Sequence, residues 1–149
     1  MIAMFSRHVT TNIQMLESVI NESRNHDEFL TGLKHVTHIS QSADRRTSRF
    51  ARARLIVAAE NNPRLARLLA KEQSRLTKAI TKLFESAKDD GWICADIPAA
   101  AAAVFIQAYT LGKIVDDLVS TPVDQGDWDS LIGLFAERTL LNSRERAGD

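Results

Sequence analysis

From Ile97 to Gly112 no side chain is charged, and Ala99–Ala103 are five alanines in a row. No other stretch limits the possible folds as much. Asp96 and Pro98 stand where a helix would start, and alanine is the best helix former, so a helix is predicted from Ala99 to about Val119. At about 100° per residue, Val104, Phe105, Ala108, Leu111, Gly112, Val115, Leu118 and Val119 cover one continuous half of that cylinder. Thr110, Lys113 and Asp117 read as its solvent strip. A helix apolar over so wide an arc needs neighbours on two sides. One is the body of its own domain, and the other is most easily a second subunit. Ala99–Ala103 and Gly112 are small enough to let backbones approach. The alternative is a fully buried central helix in a monomer. Alanine, glutamine, threonine and glycine make up half of the segment from Pro98 to Val115, which has only marginal spanning length. It is therefore expected inside protein rather than lipid.

Helical periodicity continues through the rest of the chain, and no segment alternates with period two. A first helix is predicted over residues 2–24, with Ile2, Phe5, Val9, Ile13, Leu16 and Ile20 in one stripe. A second begins near Asp27 and carries Phe29, Leu33 and Val36. A third follows Asp44 as N-cap, turns Phe50, Val57 and Ala58 inward, and stops at "ENNP". The fourth has Pro63 in its first turn and repeats Leu65, Leu69, Leu76, Ile80, Leu83 and Ala87 until Gly91. After the loop "STPVDQGD", a sixth runs from about Asp127 and turns Trp128, Leu131, Ile132 and Phe135 to one side. "NSRERAGD" is expected to fray. The expectation is an all-α single domain of about six helices over residues 1–149.

The bulk properties exclude more than they select. Formal net charge is zero, so no long-range field points to nucleic acid. Cys94 is the one cysteine; it cannot form an internal disulfide, which fits a reducing, cytoplasmic setting. The N-terminus is polar by position 6 and lacks the apolar run of a signal peptide.

The segment "NNPRLARLLAKEQSRLTKAITKLFESAKDDGWICADIPAAAAAVFIQAYTLGKIVDDL" has a distinctive order. A long helix (Leu65 to Lys88) is followed by a glycine stop (Asp89 to Gly91), an apolar link with Asp and Pro (Trp92 to Pro98), and an alanine-rich helix. Over about residues 50–140 this resembles the C-terminal half of tetracycline-repressor-type (TetR family) transcriptional regulators. The resemblance implies a bundle whose last two long helices pair with a second copy in a four-helix interface. The earlier helices would surround a pocket for a small, largely apolar effector. Effector binding in that family shifts the first core helix and so the separation of paired DNA-reading heads. Members begin with a three-helix DNA-binding unit ending in "Y-x-x-F-x-x-K", and no such stretch stands ahead of the first helix here. The expectation is a module without its helix-turn-helix, with DNA contacted only through such a domain. Whether that reflects truncation or a natural form stays open.

Candidate ligand-binding residues are the polar groups that fall in apolar arcs, Asn12, Arg54, Glu72 and Gln107, with Phe50, Phe84, Phe105 and Tyr109 as walls. Alternatively the polar groups satisfy one another, for instance as an Arg54–Glu72 pair. Candidate interface residues are Val104, Ala108, Leu111, Val115, Leu118, Trp128, Leu131, Leu134, Phe135 and Arg138. Arg138 could pair across the dimer with Asp116 or Asp117.

His35 and His38 have ligand spacing on a helix but no third ligand nearby, so no metal site is expected, and no cofactor. Arg67, Lys71, Arg75, Lys78 and Lys82 line one face of the fourth helix. The stripe lacks interleaved aromatics, so a solvated face is expected rather than a track for phosphates. No nucleophile elbow, phosphate loop or metal motif is present, and the chain is not expected to be an enzyme. The leading reading is an effector-binding, homodimerising regulator module. The alternatives are a ligand-free helical dimer acting through protein partners, and a nucleic-acid binder using the basic stripe.

Overall fold

A computed structural model describes residues 1–140; the tail from 142 onward, expected to fray, lies outside the described residues. Its helices are α1 (Ile2–Glu22), α2 (His26–Gln41), α3 (Arg46–Ala59), α4 (Pro63–Asp89), α5 (Ala99–Gly112), the single turn α6 (Ile114–Asp117) and α7 (Gln125–Leu140). A 3-10 turn, Ala43–Arg45, leads into α3. There is no strand among the described residues, and the all-α expectation holds.

Local chemistry sets the helix ends. The Asn25 side chain accepts a hydrogen bond from the Glu28 N–H at 2.9 Å, and Asn62 accepts from Leu65 N–H at 3.0 Å, so each caps a helix start. Pro63 occupies the first turn of α4, where its missing N–H costs nothing. The far end of α4 closes in a Schellman motif. Gly91 sits at φ 72°, its N–H reaches Lys88 O at 3.0 Å, and Trp92 N–H reaches Ala87 O at 2.9 Å. Trp92 then packs against Phe29, with ring centroids 5.8 Å apart.

Helix α4 is the spine: it packs against α1, α3 and α5, while α2 packs on α1. Val9, Leu16 and Val19 of α1, Phe29 and Leu33 of α2, Leu76, Ile80, Leu83 and Phe84 of α4, and Ala99 and Ala103 of α5 form one continuous core. The alanines of α5 thus do two jobs. Ala99 and Ala103 are in the core, while Ala100 and Ala101 are exposed. Gly32 lets α2 close on α1, since a Cβ there would meet Val19 Cγ1 at 3.1 Å.

Three expectations need correction. Asp44 lies within the 3-10 turn and does not cap α3. The predicted helix to Val119 is interrupted after Gly112, with α6 resuming for one turn. In α3 the inward face is nearly opposite to the one expected. Arg49, Ala51 and Leu55 are buried, whereas Val57 and Ala58 are exposed and Phe50 is only half-buried under the Arg46 guanidinium, 5.1 Å from its ring.

Candidate functional site

The polarity of the α5–α6 region is inverted relative to the sequence reading. Thr110, Lys113 and Asp117, expected to face solvent, point inward; Lys113 and Asp117 are 4% and 7% exposed. Each has a specific partner. Arg49 of α3 grips the Asp117 carboxylate twice, Nε to Oδ2 at 2.5 Å and Nη2 to Oδ1 at 2.7 Å, and donates a third bond to Ser42 O. Arg46 Nε donates to Asp117 O at 3.0 Å. Lys113 bonds Asp116, and its ammonium sits 5.1 Å from the centre of the Trp128 ring. Hydrogen bonds from Lys113 and from the Val123 N–H hold the Asp116 carboxyl below its ordinary range.

With the polar side turned in, the apolar side is left outside. Val104, Ala108, Val115, Leu118, Leu131, Leu134 and Phe135 are exposed, most of the larger ones by about half or more. Seven of the ten predicted interface positions therefore present apolar side chains on the surface of α5–α7, and Arg138 is also exposed. Two were misplaced. Leu111 lines an internal cavity, and Trp128 turns inward to donate its indole N–H to Gln41, itself fully buried. The acids proposed for Arg138 are already held within the chain, Asp117 by Arg49 and Asp116 by Lys113.

A cavity of about 130 Å³, partly open to solvent, lies between α1, α2, α3, α4 and α5. Asn12 and Gln107 line it, as the sequence suggested. Gln107 is buried, accepts from Gln73, and donates to Thr77 Oγ1 at 3.0 Å and Ala103 O at 3.1 Å. Three other candidates are elsewhere. Phe50 and Arg54 lie on the reversed face of α3, and Arg54 is exposed. Glu72 pairs with Arg75 at 2.6 Å, and the Arg54–Glu72 pair does not form.

In place of Arg54, the wall on the α3 side carries Arg45 from the end of the 3-10 turn and Ser48, Arg49 and Arg52 from α3, spaced i, i+3, i+4 and i+7. Sequence reasoning missed these because it turned Phe50, Arg54, Val57 and Ala58 inward, the opposite face of α3. The sign that could have found them is the spacing of Arg45, Arg49 and Arg52 along one helical stripe.

The aromatic candidates Phe84, Phe105 and Tyr109 line a second, almost wholly apolar cavity of about 250 Å³ between α5 and α7. Tyr109 and Phe105 meet edge-on at 5.4 Å, and burial pushes the Tyr109 phenol above its ordinary pKa. Leu33 and Ile106 line both cavities. Helix α7 is tied to one face of α2 by Lys34–Glu137, by His38 Nδ1 to Asp129 at 2.5 Å, and by Gln41–Trp128. His38 thus meets a carboxylate, and both His35 and His38 are exposed. No group of three or more potential metal ligands forms among the described residues. The basic stripe Arg67, Lys71, Arg75, Lys78 and Lys82 is exposed along its length. No described helix is long and apolar enough to cross a membrane.

Comparison with protein-family models, with curated proteins and with solved structures finds no match.

Proposed function

We propose that this chain is an effector-binding, homodimerising module of a tetracycline-repressor-type transcriptional regulator. The observation that carries the reading is the uncharged outer face running from Val104 through Val115 to Leu131, Leu134 and Phe135. Exposed apolar patches of this continuity mark association surfaces. Helices α5 and α7 contribute it, with Val115 of the single turn α6 between them, and a two-fold axis through such a face brings four main helices together from one patch. A second copy is the simplest occupant: the face is self-complementary in being flat in charge and rich in small residues (Ala101, Ala108, Gly112) beside larger ones.

The sensing half of the reading draws on the internal cavity. Helix α1 contributes Phe5, His8, Val9, Asn12 and Leu16 to its wall, so a guest there bears directly on the first core helix. A ligand that prefers one position of α1 shifts that equilibrium by its differential affinity alone, which need be only a few kcal/mol. In this reading DNA is contacted through a helix-turn-helix unit and not through α1–α7.

Sedimentation velocity at micromolar to tens of micromolar protein tests the dimer. The expected result is a two-chain particle, converted to a monomer of unchanged helicity by Val104→Glu with Leu134→Glu. A wild-type chain that sediments as a monomer throughout that range overturns the reading.

A further inference from the structure

The internal cavity has walls of two kinds. Helices α1, α2, α4 and α5 supply mainly apolar side chains, Val9, Leu16, Leu33, Leu76, Ile80 and Ile106. Among them stand the neutral polar groups Ser40, Gln107 and Thr110 and the α1 residues His8 and Asn12. The α3 wall is cationic, and none of the residues lining the cavity is acidic. Arg49 is neutralised by Asp117, so it is not the group that awaits a counter-charge.

Arg52 is different. Its Nη2 donates to the neutral amide oxygen of Gln73 at 2.6 Å, and its guanidinium lies 5.8 Å from the centre of the Phe5 ring. No carboxylate comes within ion-pair distance of it among the described residues. Burial lowers its pKa below the ordinary guanidinium value, the direction expected of a desolvated cation with no anion beside it. Asn12, His8, Arg45 and Ser48 also line the cavity, and their side chains have no hydrogen-bond partner among the described residues. A guanidinium in a partly dry wall, with unused donors beside it, matches a planar carboxylate better than any neutral group.

Size narrows the class. A dry apolar cavity of about 150 Å³ accepts a benzene ring; this one measures about 130 Å³ and is partly open to solvent, so the apolar part of a guest is limited to about one ring or a short chain. We infer that the cavity takes a small organic acid, its carboxylate on the α3 wall against Arg52 and a single ring or short alkyl chain among the apolar side chains of α1, α2, α4 and α5. This rests on the sensing half of the proposed function and replaces its largely apolar effector with an amphipathic anion.

The test is calorimetric titration of the full chain with phenylacetate and hexanoate, beside their amides, phenethylamine and inorganic phosphate. The acids are expected to bind one per chain and at least tenfold more tightly than the amides, with the amine and phosphate weaker still. Arg52→Gln should bring the acids down to the level of the amides while leaving amide binding unchanged. Should Arg52→Gln fail to fold, Ser48→Asp provides the second arm. It puts an anion on the same wall, keeps the Arg52–Gln73 bond, and should abolish the preference for acids. Acids that bind no better than amides overturn the inference, as does phosphate binding as tightly as the acids, or no binding by either organic series. A sedimenting dimer that binds neither series leaves the assembly standing and removes the acid site. A monomer that binds acids through Arg52 does the reverse.

Discussion

Arg49 and Asp117 are the residues on which the interior arrangement depends most. They are 68 positions apart in the chain, and their side chains are only 5% and 8% exposed. Pairing two buried charges offsets a desolvation cost of several kcal/mol per ion, so the pair by itself is weak evidence of net stability. Removing one partner is another matter, because the remaining charge is then buried without compensation. Asp117→Ala is expected to destabilise the chain by about 3–5 kcal/mol in urea unfolding followed by circular dichroism. Arg49→Met with Asp117→Leu should recover most of that loss, since an apolar pair of similar volume leaves no stranded charge. A double variant no more stable than Asp117→Ala alone would mean the ion pair itself is needed to position α6. The same pair marks the limit of reading single residues. A charged side chain in an otherwise apolar helix is assigned to solvent by default. Lys113 and Asp117 break that rule because their partners, Trp128 and Arg49, come from distant elements that periodicity cannot place.

The two ends of α4 were legible in the sequence because their causes are local, whereas the Asp44 cap and the end of α5 were not. Asn62 followed by Pro63 starts α4, and Gly91 ends it, all within a few residues of the boundary concerned. Gly91 is required by its backbone: at φ 72° an L side chain is strained, yet nothing lies within 4 Å of where a Cβ would be. Gly91→Ala should therefore cost about 1 kcal/mol through conformation alone. For a chain of this length that lowers the melting temperature by about 2–4 °C. Gly91→Asn should cost less, because asparagine tolerates the left-handed region. Equal losses for the two would point to a steric cause that the open surroundings do not show. The face of α3 was not legible for the opposite reason. Leu55 to Ala59 are apolar in an unbroken run that favours no one phase, and the inward position is decided by what Arg49 and Arg52 find across the core, Asp117 and Gln73.

At the scale of the whole molecule, the wide apolar arc of α5 was visible in sequence, and its exposed part follows from the inverted polar strip. Once Gln107, Lys113 and Asp117 are committed to the interior, Val104, Ala108 and Val115 have only the surface to occupy. A monomer would leave that face in water, at a cost of roughly 25 cal/mol for every Å² that a partner could cover. If a second copy covers it, the measured stability is that of the dimer and must depend on protein concentration. A tenfold rise adds about 1.4 kcal/mol per dimer. Set against the unfolding entropy of two chains of this length, that raises the melting temperature by about 2 °C. Differential scanning calorimetry over a hundredfold range of concentration should therefore show a steady rise of about 4–5 °C for the wild-type chain. Val104→Glu with Leu134→Glu should melt lower and at one temperature throughout, because it has no association to lose. A wild-type melting temperature flat across that range, with reversible unfolding, would assign the outer face to some occupant other than a second copy.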